Sequence, residues 1–326
     1  MPAKSPQPEV PEPSESVLPW LLDSDPAIRW QVMRDLTGAP DDLVARERAR
    51  VGDQGWGARL LDRQRPDGKW GDDVVAPLWQ STLCAIVLLK DMGIDPTCER
   101  ARSAVNLVRE RVTWGPQWGD APFFEGEVEP CINGRVLALG AYFGHASERL
   151  LDRLLGEQLA DGGWNCEAER GSVRASFNTT ICVLEGLLAY ETARGATSAV
   201  TRARARAQEY LLARRMLRRL STGEVIKDRK GTHDWTRFAF PTTWHYDLLR
   251  GLDYLRAAGV RPDERVAEAM RLVAKRRHPD GRWPLDVAHH DPVGFVMEAG
   301  PGHPSRWNTL RALRVLEWYA APQGAR

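Results

Sequence analysis

Side chains suited to acid–base and thiol chemistry occur at three positions of the chain. His245 and Asp247 stand two residues apart. An imidazole titrates near neutrality, so this pair could serve as acid and base. Cys131 adds a thiol. His245, Asp247 and Cys131 are therefore the predicted catalytic residues.

A second set of residues could hold a substrate. Its tryptophans could stack on an apolar molecule or stabilise a carbocation through their π faces, and its arginine could bind a carboxylate or a diphosphate. The set is Trp79, Asn178, Thr180, Trp244, Tyr246, Arg306 and Trp307. Buried Thr, His or Arg costs free energy unless it is paired or solvated, so this mixture predicts a wet functional pocket. The structural alternative is a small Cys that packs as a hydrophobe and a His bonded to a neighbouring carbonyl.

The elements that must position these residues follow from an internal repeat. Tryptophans close short polar turns at positions 70, 118, 164, 235 and 283, at intervals of 48, 46, 71 and 48 residues. The strongest copies contain Asp-Gly, in which Asp bonds its own backbone and Gly accepts a positive φ. A period near 47 residues equals two helices and two turns, and the longer interval indicates an insertion. We interpret the tryptophans as structural staples that cover the ends of helices.

An apolar helix follows each turn, and charged amphipathic helices lie between the apolar ones. The patterns predict six inner helices, over 26–38, 77–92, 130–144, 177–191, 242–258 and 304–320. Small residues recur at a fixed step in these helices and would let them approach closely. Six inner helices surrounded by charged outer ones make an all-α fold, a single α/α toroid whose last helix closes against the first. We expect its axial cavity where the inner helices begin.

The chain divides into a tail and one domain. Residues 1–16 hold five prolines and almost no bulky apolar residue, which predicts a disordered tail. Residues 17–322 would form the toroid. Within it, 221–240 and 284–304 are predicted to be long loops with binding or lid roles. A helix at about 198–220 carries seven arginines, which is typical of a solvated outer face or of a docking surface.

Bulk properties exclude several classes of function. The 326 residues carry 45 basic and 44 acidic side chains, a net charge of +1. The chain therefore lacks the large positive charge that attracts nucleic acid. No apolar run reaches the roughly 18 residues needed to span a bilayer, and a peripheral contact between the basic helix and a membrane stays open. Five cysteines without a signal peptide are typical of a reducing cytosol. We therefore expect a cytoplasmic protein.

Three of the turns match a known family motif. Residues 158–164 read Gln-Leu-Ala-Asp-Gly-Gly-Trp, residues 64–70 read Gln-Arg-Pro-Asp-Gly-Lys-Trp, and residues 278–283 keep the later half. On these motifs, the chain over about 60–320 resembles the terpenoid cyclase and protein prenyltransferase superfamily, whose α/α toroids carry Gln-x-x-Asp-Gly-x-Trp repeats. The resemblance implies the toroid. Its first functional implication is a terpenoid cyclase-like enzyme that acts on an isoprenoid or other largely apolar small molecule in the central cavity.

The chain departs from this family at the acid motif. Squalene-type cyclases carry Asp-x-Asp-Asp at the start of an inner helix, where an acid protonates an alkene or epoxide, and the six predicted starts lack it. Asp41-Asp42 is followed by Leu43-Val44-Ala45, so the metal–diphosphate motif of the other cyclase class is absent as well. The first alternative is therefore a non-catalytic toroid that binds a ligand or a partner protein.

A metal site is the second alternative. Protein prenyltransferases place Asp-x-Cys at one inner-helix start and His at a later one, and these three side chains bind zinc. Here Glu129-Pro130-Cys131 opens an inner helix, His245 opens another, and Cys166 follows the Trp164 turn. Thiolate, imidazole and carboxylate are suitable zinc ligands. The resemblance thus implies a zinc-dependent prenyltransferase-like or thiol-activating enzyme, with Cys131, Cys166 and His245 as ligands and Glu129 as the alternative to Cys166.

Overall fold

The computed structural model describes residues 17–72, 74, 81–226, 234–289 and 294–321. Across these residues the chain forms thirteen α-helices and no β-strand, so the all-α prediction is confirmed. The proline-rich tail predicted for 1–16 lies outside the described residues. The helices are α1 Val17–Leu22, α2 Pro26–Asp35, α3 Asp41–Ala49, α4 Gly55–Leu61, α5 Thr82–Met92, α6 Glu99–Arg111, α7 Pro130–Phe143, α8 Glu148–Gly156, α9 Phe177–Arg194, α10 Ser198–Ala213, α11 Leu248–Ala257, α12 Ala267–Lys275 and α13 Arg306–Ala320.

Six helices form an inner ring: α2, α5, α7, α9, α11 and α13. Trp30 of α2 donates its indole N–H to the Met92 carbonyl of α5 at 2.9 Å. Helices α5, α7 and α9 pack against one another in turn. Arg250 of α11 binds Glu185 of α9, so the first five inner helices are joined in sequence order.

The last inner helix closes the ring. Helix α13 packs against α11 on one side and against α2 on the other. On the α2 side, Arg314 Nη2 donates to Gln31 Oε1 at 2.8 Å, across 283 positions of sequence. The predicted single α/α toroid is confirmed.

Amphipathic outer helices cover the ring. Helix α8 buries Leu150, Leu151 and Leu154 against α7 and turns its charged residues to solvent. The same division of apolar and charged faces recurs in α6 and α12. No helix in the described part of the chain has both the length and the apolar character needed to cross a bilayer.

Two predicted boundaries were wrong by six or more residues. The fifth inner helix begins at Leu248 rather than 242, because Asp247 is its N-cap and accepts a hydrogen bond from the Arg250 N–H. Thr243, ahead of it, has a φ of 52°, which no α-helix accommodates. The basic helix ends at Ala213 rather than 220, and Arg215 and Met216 then take positive φ.

Three tryptophan turns share one set of hydrogen bonds. In each, the indole N–H donates to the carbonyl ten residues earlier at 2.7–2.8 Å, and the backbone N–H donates to a threonine hydroxyl of the next inner helix at 3.0–3.1 Å. Each turn thereby ties an outer helix to the inner helix that follows it. The tryptophans are Trp70, Trp164 and Trp283, and their threonines are Thr82, Thr180 and Thr309.

The glutamine of the repeat has its own role. Gln158 Nε2 donates to the Gly162 carbonyl within the turn at 2.7 Å and to the Ala203 carbonyl of α10 at 2.8 Å. Gln64 does the same with its own turn and with α6. The motif therefore also holds the turn against the next outer helix.

The turn at position 118 departs from the predicted repeat. Trp118 is 40% exposed, whereas Trp114 is 3% exposed and donates its indole N–H to the Phe123 carbonyl. Trp235, in the long third interval, packs against Phe177 and Tyr246. Trp118 is therefore not one of the buried tryptophans that close the turns.

Helices α7 and α9 approach closely at two glycines. A Cβ on Gly186 would lie 2.3 Å from the Gly134 carbonyl oxygen, and a Cβ on Gly134 would lie 2.5 Å from the Cys182 carbonyl oxygen. Side chains larger than hydrogen would push the two backbones apart. These glycines are small residues of the kind that the sequence pattern singled out.

We expect Gly186→Ala to lower the free energy of unfolding by about 1–3 kcal/mol, because overpacking forces the two helices to shift. The matched control is Gly156→Ala in α8, where a Cβ meets nothing within 4 Å. That change should raise stability by up to about 1 kcal/mol, since Ala loses less backbone entropy than Gly. Equilibrium urea unfolding measures both, and effects of the same sign would contradict the close approach.

Candidate functional site

All six inner helices contribute to one cavity of about 450 Å³ on the axis of the ring. Pockets that hold small molecules have volumes of about 300–1,000 Å³. The lining residues come mainly from the middle of the inner helices and from the loop at 240–243. This cavity therefore lies deeper than the helix starts at which the sequence pattern placed it.

Aromatic rings form the apolar part of the cavity wall. Trp30, Tyr142, Phe240, Tyr254 and Trp307 line the cavity. Phe240 and Trp307 stack with ring centroids 4.1 Å apart and an interplanar angle of 13°. Rings held in this way give a rigid apolar surface for a flat or branched hydrocarbon group.

Charged side chains form the rest of the wall. Seven cationic residues line the cavity, against three carboxylates. The cations are Arg34, Arg48, Lys90, Arg135, Arg250, Arg311 and Arg314, and the carboxylates are Asp91, Glu185 and Asp253. The whole chain is almost neutral, so this excess of positive charge is a local property of the cavity.

The three lining carboxylates are ion-paired. Both Glu185 oxygens bind Arg250, at 2.7 and 2.8 Å. Burial alone would raise the pKa of Glu185, but Arg250 outweighs it and holds the pKa below its ordinary value of 4.5. Asp91 pairs with Lys90 at 2.8 Å, and Asp253 pairs with Arg256 at 2.8 Å. Glu185 therefore stays ionised at neutral pH.

Asp247 lies behind the wall and caps α11. Its two carboxylate oxygens accept the Arg250 and Ala239 N–H groups at 2.7 and 3.2 Å. Burial raises the pKa of Asp247, and Arg311 at 3.8 Å opposes that rise in part. The carboxylate therefore positions the start of α11 and the Arg311 guanidinium.

The structure places His245 and Trp244 in the loop before α11. The His245 ring stacks on the His289 ring and contacts the Trp244 ring at a tilt of 33°, each with centroids 3.8 Å away. The His245 carbonyl accepts a hydrogen bond from Arg250 Nη1 at 2.7 Å. Tyr246 is buried, and its backbone N–H donates to Asn178 Oδ1 at 2.7 Å.

The remaining predicted substrate-binding residues take different places. Trp307 lines the axial cavity. Thr180 is fully buried and its hydroxyl serves the Trp164 turn. Arg306 points away from the axis, towards the carbonyls of Trp20 and Asp23 near the end of α1. Trp79 lies outside the described residues.

Two cysteines and a glutamate meet at the start of α7. The Sγ atoms of Cys131 and Cys166 and a Glu129 carboxylate oxygen all lie within 4.8 Å of one another. Cys131 Sγ is 3.6 Å from Glu129 Oε2. A hydrogen bond with Cys131 lowers the pKa of Cys166 below its ordinary 9.0, and the same contact raises the pKa of Cys131. Among the described residues, the predicted ligand His245 is not part of this group.

The charged residues of the cavity wall are not among the predicted site residues. Arg135, Glu185, Arg250, Arg311 and Arg314 each stand next to buried apolar residues of an inner helix. A charge within a helix that is buried on all sides is a recognisable signal, because burial of a charge is costly without a partner. This signal lies in the middle of the helices, whereas the predicted site residues lie at their starts.

The basic helix α10 uses several arginines within the chain. Arg204 pairs with Glu191, Arg206 donates to Gln158 Oε1 at 2.9 Å, and Arg214 lies 3.7 Å from Asp161. These contacts tie α10 to α9 and to the Trp164 turn. Because these three arginines are engaged within the chain, fewer of the seven arginines remain for a docking surface than the sequence indicated.

Comparison with known proteins found solved structures that are similar to this chain. No family model matches the chain, and no curated protein matches it. The solved structures of type II terpene cyclase MstE from Scytonema are similar in fold. One variant without ligand has 20% sequence identity and a TM-score of 0.43, over 88% of this chain and 84% of that one.

Two further structures of that cyclase contain ligands. One holds its substrate, geranylgeranyl dihydroxybenzoate, with 20% identity and a TM-score of 0.43, over 89% of this chain and 85% of that one. Another holds its product, merosterolic acid A, with 19% identity and a TM-score of 0.44, over 88% and 84%. At this level, the similarity concerns the helical arrangement and not the role of any residue.

Proposed function

We propose that the chain is a terpenoid cyclase-like enzyme that encloses an isoprenoid or other small molecule with an apolar body in its axial cavity. The observation that carries the proposal is the convergence of six inner helices on one cavity of about 450 Å³ lined by five aromatic rings. A cavity that served packing alone would be filled by aliphatic side chains at close-packed density.

Within this proposal the rings and the carboxylates have separate roles. Phe240 and Trp307 would hold the apolar body in one conformation through their stacked faces. The π faces of the rings would lower the free energy of a positive charge that develops on the ligand. The cavity carboxylates are ion-paired, so they would hold their arginine partners in place and are poorly suited to proton donation.

A plug in the cavity tests the proposal. Ala189 lines the cavity and is half-buried, so Ala189→Trp should fill it with little disturbance of the core. We expect farnesol or geranylgeraniol to bind the wild-type chain and the plug to weaken binding at least about tenfold, which corresponds to about 1.4 kcal/mol. Calorimetric titration measures the affinity, and gas chromatography with mass detection identifies any product.

The control for the plug is Ala49→Trp, at the exposed end of α3. It should leave the affinity unchanged. Absence of binding to the wild-type chain, or equal affinity in the plugged and wild-type chains, would remove the axial cavity as the site.

Zinc-dependent or thiol chemistry at Glu129, Cys131 and Cys166 is a second candidate function. A tetrahedral zinc ion with a thiolate at about 2.3 Å and a carboxylate at about 2.1 Å separates the two ligand atoms by about 3.6 Å. Cys131 Sγ and Glu129 Oε2 are 3.6 Å apart. Three protein ligands leave one coordination position for water or substrate, as catalytic zinc sites do. Zinc bound there would activate a thiol or a water molecule.

Metal analysis tests this second candidate. We expect about one zinc per chain in protein purified without chelator, because thiolate sites hold zinc tightly. Cys131→Ser with Cys166→Ser should bring the content below about 0.2, while Cys98→Ser, distant in sequence and outside the group, should retain it. A wild-type content below about 0.2 would rule out the zinc site.

A further inference from the structure

Two of the free cysteines of the chain stand side by side. Cys131 is the second residue of α7, and Cys166 begins the short helical turn Cys166–Arg170 that follows Trp164. Their Sγ atoms lie within 4.8 Å of each other. A disulfide has an S–S distance of about 2.05 Å. A sulfur movement of about 3 Å or less would therefore join the two thiols.

The pair is open to solvent on one side. Cys166 is half-buried and Glu129 beside it is exposed, whereas Cys131 is buried. The helical turn that Cys166 begins has no buried residue. Because the oxidation of a thiol follows its exposure, a small oxidant would reach Cys166 before it reaches Cys131.

The contacts of the two side chains leave them room to turn. The Cys166 backbone N–H donates to Thr179 Oγ1 of α9 at 3.4 Å, and Cys166 Sγ lies 3.4 Å from the same hydroxyl. The Cys131 thiol donates to Glu129 Oε2 at 3.6 Å. Rotation of a cysteine from one staggered rotamer to the next carries its Sγ through about 3 Å. A rotation of that size matches the movement that an S–S bond requires.

We propose that Cys166 is a site of oxidation by hydrogen peroxide and that Cys131 resolves the oxidised form as a disulfide. The Cys166 sulfur attacks one peroxide oxygen, the O–O bond breaks, and the released hydroxide takes the thiol proton, which leaves a sulfenic acid and one water molecule. The Cys131 sulfur then attacks the sulfenic sulfur, the S–O bond breaks, and a second water molecule carries away the Cys131 proton. Two electrons pass from the thiols to the peroxide, and a dithiol reductant reverses the reaction.

The disulfide would clamp one side of the inner ring. Trp164 already joins α8 to α9 through its two hydrogen bonds, and a bond from Cys166 to Cys131 would add α7. The bond would close a loop of about 35 residues, which is long enough for a cross-link to stabilise the fold measurably. The Cys131 carbonyl accepts a hydrogen bond from Arg135 Nε at 3.2 Å. The clamped segment therefore extends to a residue of the cavity wall.

The inference is separate from the cyclase-like function and shares two residues with the zinc candidate. Zinc binds cysteine as the thiolate, so a sulfur that is bound to zinc is not free to form a disulfide. The two states exclude each other at the same residues. Removal of metal with a chelator before oxidation separates them.

Peroxide treatment of the full chain after chelation tests the inference. We expect loss of two of the five free thiols and a fall in intact mass of about 2 Da. Peptide mapping without reductant should recover Cys131 linked to Cys166. The thermal midpoint of the oxidised chain should rise by about 4 °C or more, and dithiothreitol should restore the midpoint of the reduced chain.

Serine variants assign the two roles. In Cys131→Ser the sulfenic acid has no resolving thiol, so dimedone should label Cys166. In Cys166→Ser the disulfide should be absent, and the buried Cys131 should react with peroxide about tenfold more slowly than Cys166 does. Cys98→Ser is the matched control, because Cys98 is also half-buried and lies outside the group. It should leave the cross-link unchanged.

The outcomes separate this inference from the proposed functions. Retention of all five thiols after oxidation of the chelated chain, or a cross-link between other cysteines, would overturn the disulfide. An unchanged thermal midpoint in the cross-linked chain would overturn the clamp. The zinc content bears on the zinc candidate alone, and the affinity for farnesol bears on the cyclase-like function alone.

Discussion

Replacement of Trp164 by alanine is expected to lower the free energy of unfolding by about 3–5 kcal/mol, the range for large aromatic residues in cores. Trp164 is completely buried. Its indole N–H donates to the Leu154 carbonyl at 2.7 Å, and its backbone N–H donates to the Thr180 hydroxyl at 3.1 Å. The variant would lose the packing of the ring and leave the end of α8 without its hydrogen-bond donor.

The control for this variant is Trp118→Ala. Trp118 is 40% exposed, so its loss should change stability by about 0.5 kcal/mol or less, as for most surface substitutions. Equilibrium urea unfolding, followed by circular dichroism, gives both values. A loss below about 1 kcal/mol for Trp164→Ala would mean that the turn does not hold the outer helix to the inner one.

Replacement of Arg250 by methionine is expected to cost about 3 kcal/mol, the lower end of the range for a broken buried ion pair. The guanidinium is buried, and its loss leaves the Glu185 carboxylate, whose side chain is 33% exposed, without its partner. Arg250 is 6% exposed and donates to both Glu185 oxygens and to the carbonyls of Thr243 and His245. It therefore joins α9, α11 and the loop before α11. The variant should loosen this loop as well as the ring.

The effect of Arg250→Met should depend on pH. Because Arg250 lowers the pKa of Glu185 below 4.5 in the folded chain, the stability it provides is complete above the unfolded pKa of about 4.3. It is lost as pH falls through the lower folded pKa. The difference in unfolding free energy between wild type and variant should thus be full at pH 7 and shrink below about pH 4.

Arg46→Met is the matched control for the buried pair. Arg46 pairs with Asp42 on the surface of α3, where both side chains are more than 60% exposed. Surface ion pairs contribute about 0–1 kcal/mol. Urea unfolding at pH 7 should therefore separate the two variants clearly, and equal losses would contradict the structural role of Arg250.

At the start of α13, the predicted site and the cavity wall differ by a single position within the helix. Arg306 and Trp307 are neighbours in α13, yet Arg306 reaches α1 while Trp307 lines the axis. Successive side chains of an α-helix point about 100° apart, so an alignment that is correct for the helix can still select the wrong face. His245 and Trp244 were predicted to open the fifth inner helix, but they precede it, because Thr243 takes a positive φ and the helix begins at Leu248.

The sequence by itself determined the helical class, the ring of six inner helices and the positions of three tryptophan turns. These features depend on periodicity and on hydrogen bonds between residues close in sequence, such as Trp164 and Leu154. Tertiary structure alone decided which side chains face the axis. Arg135, Arg250 and Arg311 come from three different helices. Whether such a charged side chain faces solvent or a cavity depends on how all six inner helices pack, and the sequence of one helix does not contain that information.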